Sequence, residues 1–200
     1  KHGNYVLYYE NGIVREKGRM IGDKPSGTIR SYHENGNIAT IIDFKNGKQD
    51  GIKKTYNSAG LLLSEIEYAD GKVDGVYHTY YDNQKINYKG KKKGDHFIDT
   101  LFTYYNTGKI QRKSVYKNGR LHGQYIAYHE NGKTMITCNY ENGKLTGQYS
   151  EYYENGQLSQ KGQYQNGFKT GKWYGYYKNG QMFSEGQIGR ASCRERVCHR

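Results

Sequence analysis

Seven histidines, nineteen carboxylates and three cysteines are the side chains of this 200-residue chain that could hold a metal or move a proton. Spacing decides whether they do. A zinc site takes its Cys and His ligands in closely spaced pairs, but His2, His78, His96 and His122 share no spacing, and Cys138, Cys193 and Cys198 make no Cys-x-x-Cys pair. Three cysteines are also too few for a disulfide framework. Glu10, Glu34, Glu130 and Glu154 recur singly, without the contrasting environments that split a carboxylate pair into acid and base. Gly132-Lys133-Thr134 resembles the end of a phosphate loop, yet that motif needs a glycine five residues before Gly132, where Ala127 stands. No catalytic residue, no metal ligand and no cofactor site is expected, and the chain is read as a non-enzyme.

The recurrence of those glutamates points to what places them. Gly3, Gly27, Gly51, Gly75, Asp99, Gly123, Gly147 and Gly171 stand 24 residues apart (27 − 3, 51 − 27, and so on) and open eight copies of one unit. A fixed period of this size marks a repeat array. Five residues into each copy comes tyrosine, from Tyr8 to Tyr176. The next position holds Tyr9, His33, Asn57, Tyr81, Tyr105, His129, Tyr153 and Tyr177, so two of the histidines stand in for tyrosine. Cys138 shares a repeat position with Ile42, Ile66, Ser114 and Gly162, which reads as packing. Asn-Gly follows at Asn11, Asn35, Asn131, Asn155 and Asn179, a hairpin-turn signal. A second turn follows the return strand, as at Asn46-Gly47, Asp70-Gly71 and Asn142-Gly143.

Each unit is therefore one β-hairpin and its link to the next. The expected fold is all-β: an elongated single-layer antiparallel β-meander of eight 24-residue hairpin repeats over residues 1–187, with helix nearly absent. Two strands per unit at about 4.8 Å advance the array roughly 10 Å per repeat. The fourth unit has Asn83-Gln84 for its turn and Lys92 in place of an aromatic, followed by Asp99 in place of Gly, and is expected to be looser or bent. Residues 188–200 break the register. Ile188 to Val197 resembles a translated sequencing-adapter read-through, so the segment is treated as non-native; without its four Arg and one Glu the net charge falls from +12 to +9. The sequence starts inside a repeat and is read as a fragment, so a leader upstream stays compatible with it.

Composition sets the partner classes. With 34% hydrophobic residues but 23 Tyr and 27 Gly, most apolar surface is aromatic ring with a polar tip. No run is long enough to cross a bilayer as a helix. Tyr77, Tyr81, Tyr125, Tyr149, Tyr153, Trp173 and Tyr177 would form stripes, either as the cover of a one-layer sheet or as a partner-binding surface. Nucleic acid is disfavoured because the basic residues are spread evenly along the sequence.

The pattern Tyr-Tyr-Glu-Asn-Gly-Gln-Leu, followed by Gly-Gln-Tyr-Gln-Asn-Gly-Phe-Lys-Thr-Gly-Lys-Trp, from Tyr152 to Trp173, resembles the MORN repeat variant proteins of bacteria, specifically the YwqK family of toxin-antitoxin antitoxins. The resemblance covers about residues 1–187. It implies a single-layer β-repeat fold and a non-enzymatic protein-binding role, with inhibition of a cognate toxin; the compartment stays open, the cytoplasm being favoured if the chain is an antitoxin. The alternative is attachment to an anionic membrane surface or envelope glycan, which the positive charge would assist.

Overall fold

Residues 1–189 are described in the computed structural model. They form strands and turns throughout and no helix. The chain divides into two compact units, Lys1–Arg120 and a second from Leu121 onward. In the first run β1 (Gly3–Tyr8), β2 (Val14–Ile21), β3 (Lys24–Tyr32), β4 (Ile38–Lys45), β5 (Lys48–Gln49), β6 (Gly51–Tyr56), β7 (Leu62–Ala69), β8 (Lys72–Tyr80), β9 (Ile86–Lys93), β10 (His96–Tyr104) and β11 (Ile110–Lys117). From the last residue of the first unit into the second runs β12 (Arg120–Tyr128), followed by β13 (Thr134–Glu141), β14 (Lys144–Tyr152), β15 (Leu158–Gln165), β16 (Phe168–Tyr176) and β17 (Met182–Ile188). Within each unit successive strands pair antiparallel, β5 and β6 together forming one interrupted partner of β4, and this gives the expected single-layer meander of hairpins.

The two turns of a repeat differ in kind. The second is a two-residue turn with both residues left-handed, as at Asn46 (φ 53°) and Gly47 (φ 82°) or Asn142 (φ 50°) and Gly143 (φ 83°), the type whose twist matches the flanking strands. The first is a three-residue loop: the amide of Gly12 donates to the Tyr9 carbonyl at 3.0 Å, and the Tyr9 amide to Ile13 at 2.8 Å. Here only the glycine is left-handed. The asparagine before it caps the loop instead, Asn11 Oδ1 accepting from the Ile13 amide at 3.0 Å, and its Nδ2 reaches the next loop, as from Asn35 to the Ser58 carbonyl at 2.6 Å.

The residue that opens each repeat has a role of its own. Gly27, Gly75, Asp99, Gly147 and Gly171 lie inside strands with φ of 69°, 129°, 57°, 69° and 65°. They sit in bulges: Gly27, Thr28 and Ile29 face the single residue Gly18, and Gly147, Gln148 and Tyr149 face Cys138. Extra residues bend a strand and increase its twist.

One face of the sheet is packed. Large residues on incoming strands stand opposite small ones on return strands: Tyr5 against Gly18, Leu101 against Ser114, Tyr125 against Cys138, Tyr149 against Gly162. The small position also receives the large residue of the next repeat. A Cβ added to Gly162 would lie 2.3 Å from the Trp173 ring, one on Gly18 2.8 Å from Ile29, and one on Gly90 2.9 Å from Leu101. Ile29, Ile42, Leu101, Cys138 and Trp173 are buried there. The other face, carrying residues such as Lys17, Arg30, Gln148 and Gln163, is the wetter one.

The fourth repeat keeps the pattern. β9 pairs with β8 from Lys93 to Ile86, and the Lys92 ammonium sits 4.6 Å from the Tyr77 ring and 4.8 Å from that of Phe97. Lysine replaces the missing aromatic as a cation between two rings, so the expected loosening does not occur. Ile188 ends β17 opposite Gly171; the remainder of the segment read as non-native, from residue 190, lies outside the described residues.

Candidate functional site

The seven aromatic candidates fall into two rows. Tyr77, Tyr125, Tyr149 and Trp173 belong to the packed row, opposite Gly90, Cys138, Gly162 and Gly186. Their rings meet those of neighbours, Tyr149 with Tyr164 at 5.5 Å between centroids and Tyr164 with Trp173 at 5.3 Å. Burial raises the Tyr149 hydroxyl above the ordinary tyrosine range, with Glu151 adding to the rise. Tyr81 and Tyr153 begin the three-residue loops, and their hydroxyls donate to the carbonyls of Tyr104 at 2.6 Å and Tyr176 at 2.8 Å, one repeat on. Tyr177 starts the last loop, is 56% exposed, and leans on Phe183 at 4.9 Å.

The loop row also accounts for two histidines. His33 and His129 place Nε2 at 2.9 Å from the Tyr56 carbonyl and 2.8 Å from that of Tyr152. A carbonyl only accepts, so Nε2 carries the proton in both, doing what a tyrosine hydroxyl does in the other copies. His78 lies 3.9 Å from Glu65, which also accepts from Tyr80 at 2.7 Å. Burial lowers the His78 ring below the usual histidine range, against the pull of Glu65. Cys138 is buried, which pushes its thiol up to about 11 and away from the thiolate a nucleophile needs. Among the described residues no group of three or more His, Cys, Asp or Glu is arranged to hold a metal ion. Among the described residues no helix is long and apolar enough to cross a membrane.

Charge shows the strongest organisation. Residues 1–120 carry 21 Lys and Arg against 13 Asp and Glu, an excess of eight, whereas residues 121–189 carry 6 against 5, an excess of one. In the first unit the two-residue turns bring seven of these cations to one edge of the sheet, where Asp23, Asp70 and Asp95 stand in the turns themselves. Lys24, Lys45, Lys48, Lys72, Lys93, Lys117 and Arg120 flank successive turns and are exposed. Lys48 pairs with Asp70 at 2.6 Å; among the described residues the other six have no carboxylate within ion-pair distance. The side chain following one turn lies over the glycine of the next, so that a Cβ on Gly47 would come 3.1 Å from the Lys24 stem and one on Gly119 2.7 Å from the His96 ring. Cations dispersed along the sequence are thus brought to one edge, which their even spread along the chain does not show.

A family model described as MORN repeat variant matches residues 1–20, 25–46, 100–118, 121–142, 145–166 and 169–188, more than half of the chain. Residues 47–99 fall between the matched segments although they build the same hairpins. No curated protein matches the chain.

Proposed function

The chain belongs to the MORN repeat variant family, and from that premise we propose that it is a non-catalytic scaffold that captures a protein partner with an acidic surface along the basic turn edge of its first unit. The observation that carries this is the row of exposed cations from Lys24 to Arg120, held at repeat spacing with one ion pair among them. Complementary charge speeds encounter and selects partners. A protein toxin neutralised by direct binding is the specific case: the scaffold covers its target and needs no cofactor. The test is co-expression with the product of a neighbouring toxin-like gene. The unaltered chain should restore growth and co-purify with its target. The quadruple variant Lys45→Glu, Lys72→Glu, Lys93→Glu, Lys117→Glu should do neither while keeping its circular dichroism. Undiminished rescue by that variant would remove the edge from the reading.

The same edge favours a second reading, adsorption to an anionic membrane, since each basic residue near such a surface contributes about 1 kcal/mol. Co-sedimentation with phosphatidylglycerol vesicles at low salt, lost at high salt and in the quadruple variant, would support it. No sedimentation at low salt would end it.

A further inference from the structure

Away from the turn edge, the bulge at Gly27 opens a recess of about 410 Å³ on the wetter face of the first unit, lined by Asn4, Lys17, Arg19, Ser26, Thr28 and Arg30 among others. Lys17 stands directly opposite Arg30, and Arg19 lies two residues along β2 on the same face. Like charges paired across strands are unfavourable. Among the described residues no carboxylate lies within ion-pair distance of any of the three, and Asp43, on this face, accepts from Thr28 Oγ1 at 2.5 Å. Lys17 gains only a ring, that of Tyr32 at 5.4 Å.

The second unit supplies an internal comparison. Its bulge at Gly171 opens a recess of about 350 Å³ at the equivalent repeat positions, 144 residues on (162 − 18): Gln148, Lys161, Gln163, Lys172 and Tyr174. There Gln163 replaces Arg19 and Tyr174 replaces Arg30, while Lys172, in the place of Thr28, is paired with Glu185 at 2.9 Å. The backbone device is repeated and the unpaired triad is not. Three cations kept together in one copy, beside the Ser26 hydroxyl and the Asn4 amide, match an oxyanion with several acceptor oxygens, whereas the Thr28 proton is held by Asp43. Two guanidinium forks favour phosphate over a single carboxylate.

We propose that the recess formed by Lys17, Arg19 and Arg30 at the Gly18–Gly27 bulge is a binding site for a phosphate monoester. The group reaches it either as a soluble phosphorylated molecule or as the headgroup of a membrane lipid. The site is separate from the turn edge and does not depend on capture of a protein there.

The experiment uses the full chain with two probes, glycerol 1-phosphate followed by amide NMR shifts, and vesicles of phosphatidylcholine with or without phosphatidic acid. Saturable shifts centred on Gly18, Gly27 and Thr28 identify the soluble source; sedimentation with phosphatidic acid vesicles but no response to glycerol phosphate identifies the lipid. In either case R19Q and R30Y should each weaken binding, and R19Q/R30Y together by at least tenfold, with unchanged circular dichroism. K45A/K72A, on the turn edge, should leave it intact. Neither probe binding, binding that survives R19Q/R30Y, or an equal loss in K45A/K72A would overturn the proposal.

Discussion

Gly162 shows how tightly residue identities are coupled across repeats. Its backbone is that of an ordinary strand, so an L residue could adopt it, yet a Cβ would meet the Trp173 indole at 2.3 Å. The requirement is steric alone. In the preceding repeat the same position holds Cys138, where the incoming ring is the smaller Tyr149. Gly162→Ala is therefore expected to destabilise the protein by about 1–3 kcal/mol through overpacking. Adding Trp173→Leu should recover part of the loss, because Leu101 already occupies the equivalent place over Gly90. A double-mutant cycle from urea unfolding reads the coupling; additive losses would mean that the ring and the glycine do not compete for the same space. The sequence exposes the position as variable, from Ile42 to Ser114 to Gly162. What it hides is that its size answers to a residue eleven places later.

At the scale of the element, the strand bulges make the same point about the backbone. Asp99 holds φ 57° where Gly27, Gly147 and Gly171 stand in other repeats, and left-handed backbone costs an L residue energy that glycine does not incur. Asp99→Gly should stabilise by roughly 1 kcal/mol or less after the added freedom of the unfolded chain, seen as a rise in thermal midpoint of at most about 2–4 °C. A fall would show that the Asp99 side chain contributes more than its strain. Hairpins and turns were legible from Asn-Gly pairs because those residues are chosen for local conformation. The bulges were not: the opening glycines mark the period, but nothing in a glycine says whether it ends a strand or bends one. This also limited the site. A bulge changes the count that assigns side chains to faces, so Tyr77 and Tyr149 could be set in a row but not assigned to the packed face. Lys92 was misread for a related reason, since a lysine between Tyr77 and Phe97 serves as cover only once β8, β9 and β10 lie side by side.

For the molecule as a whole, stability and capture should respond to salt in opposite directions. The first unit keeps an excess of eight positive charges, with its edge cations recurring every second strand, roughly 10 Å apart at the usual strand spacing. At 0.01 M salt the Debye length is about 30 Å, and neighbouring edge cations repel one another; at 0.15 M it is about 8 Å, and they are largely screened. Local contacts between adjacent hairpins are apolar and hydrogen-bonded, and such contacts in a repeat array depend little on distant charge. Raising salt over this range is expected to raise the thermal midpoint by circular dichroism. An acidic partner gains most from the unscreened edge, so its affinity should fall by tenfold or more over the same range, chiefly through a slower association rate. The quadruple edge variant, with four lysines reversed, should lose both responses together. A midpoint that falls with salt would mean that ion pairs such as Lys48–Asp70 outweigh the repulsion. An association rate indifferent to salt would place capture on another surface.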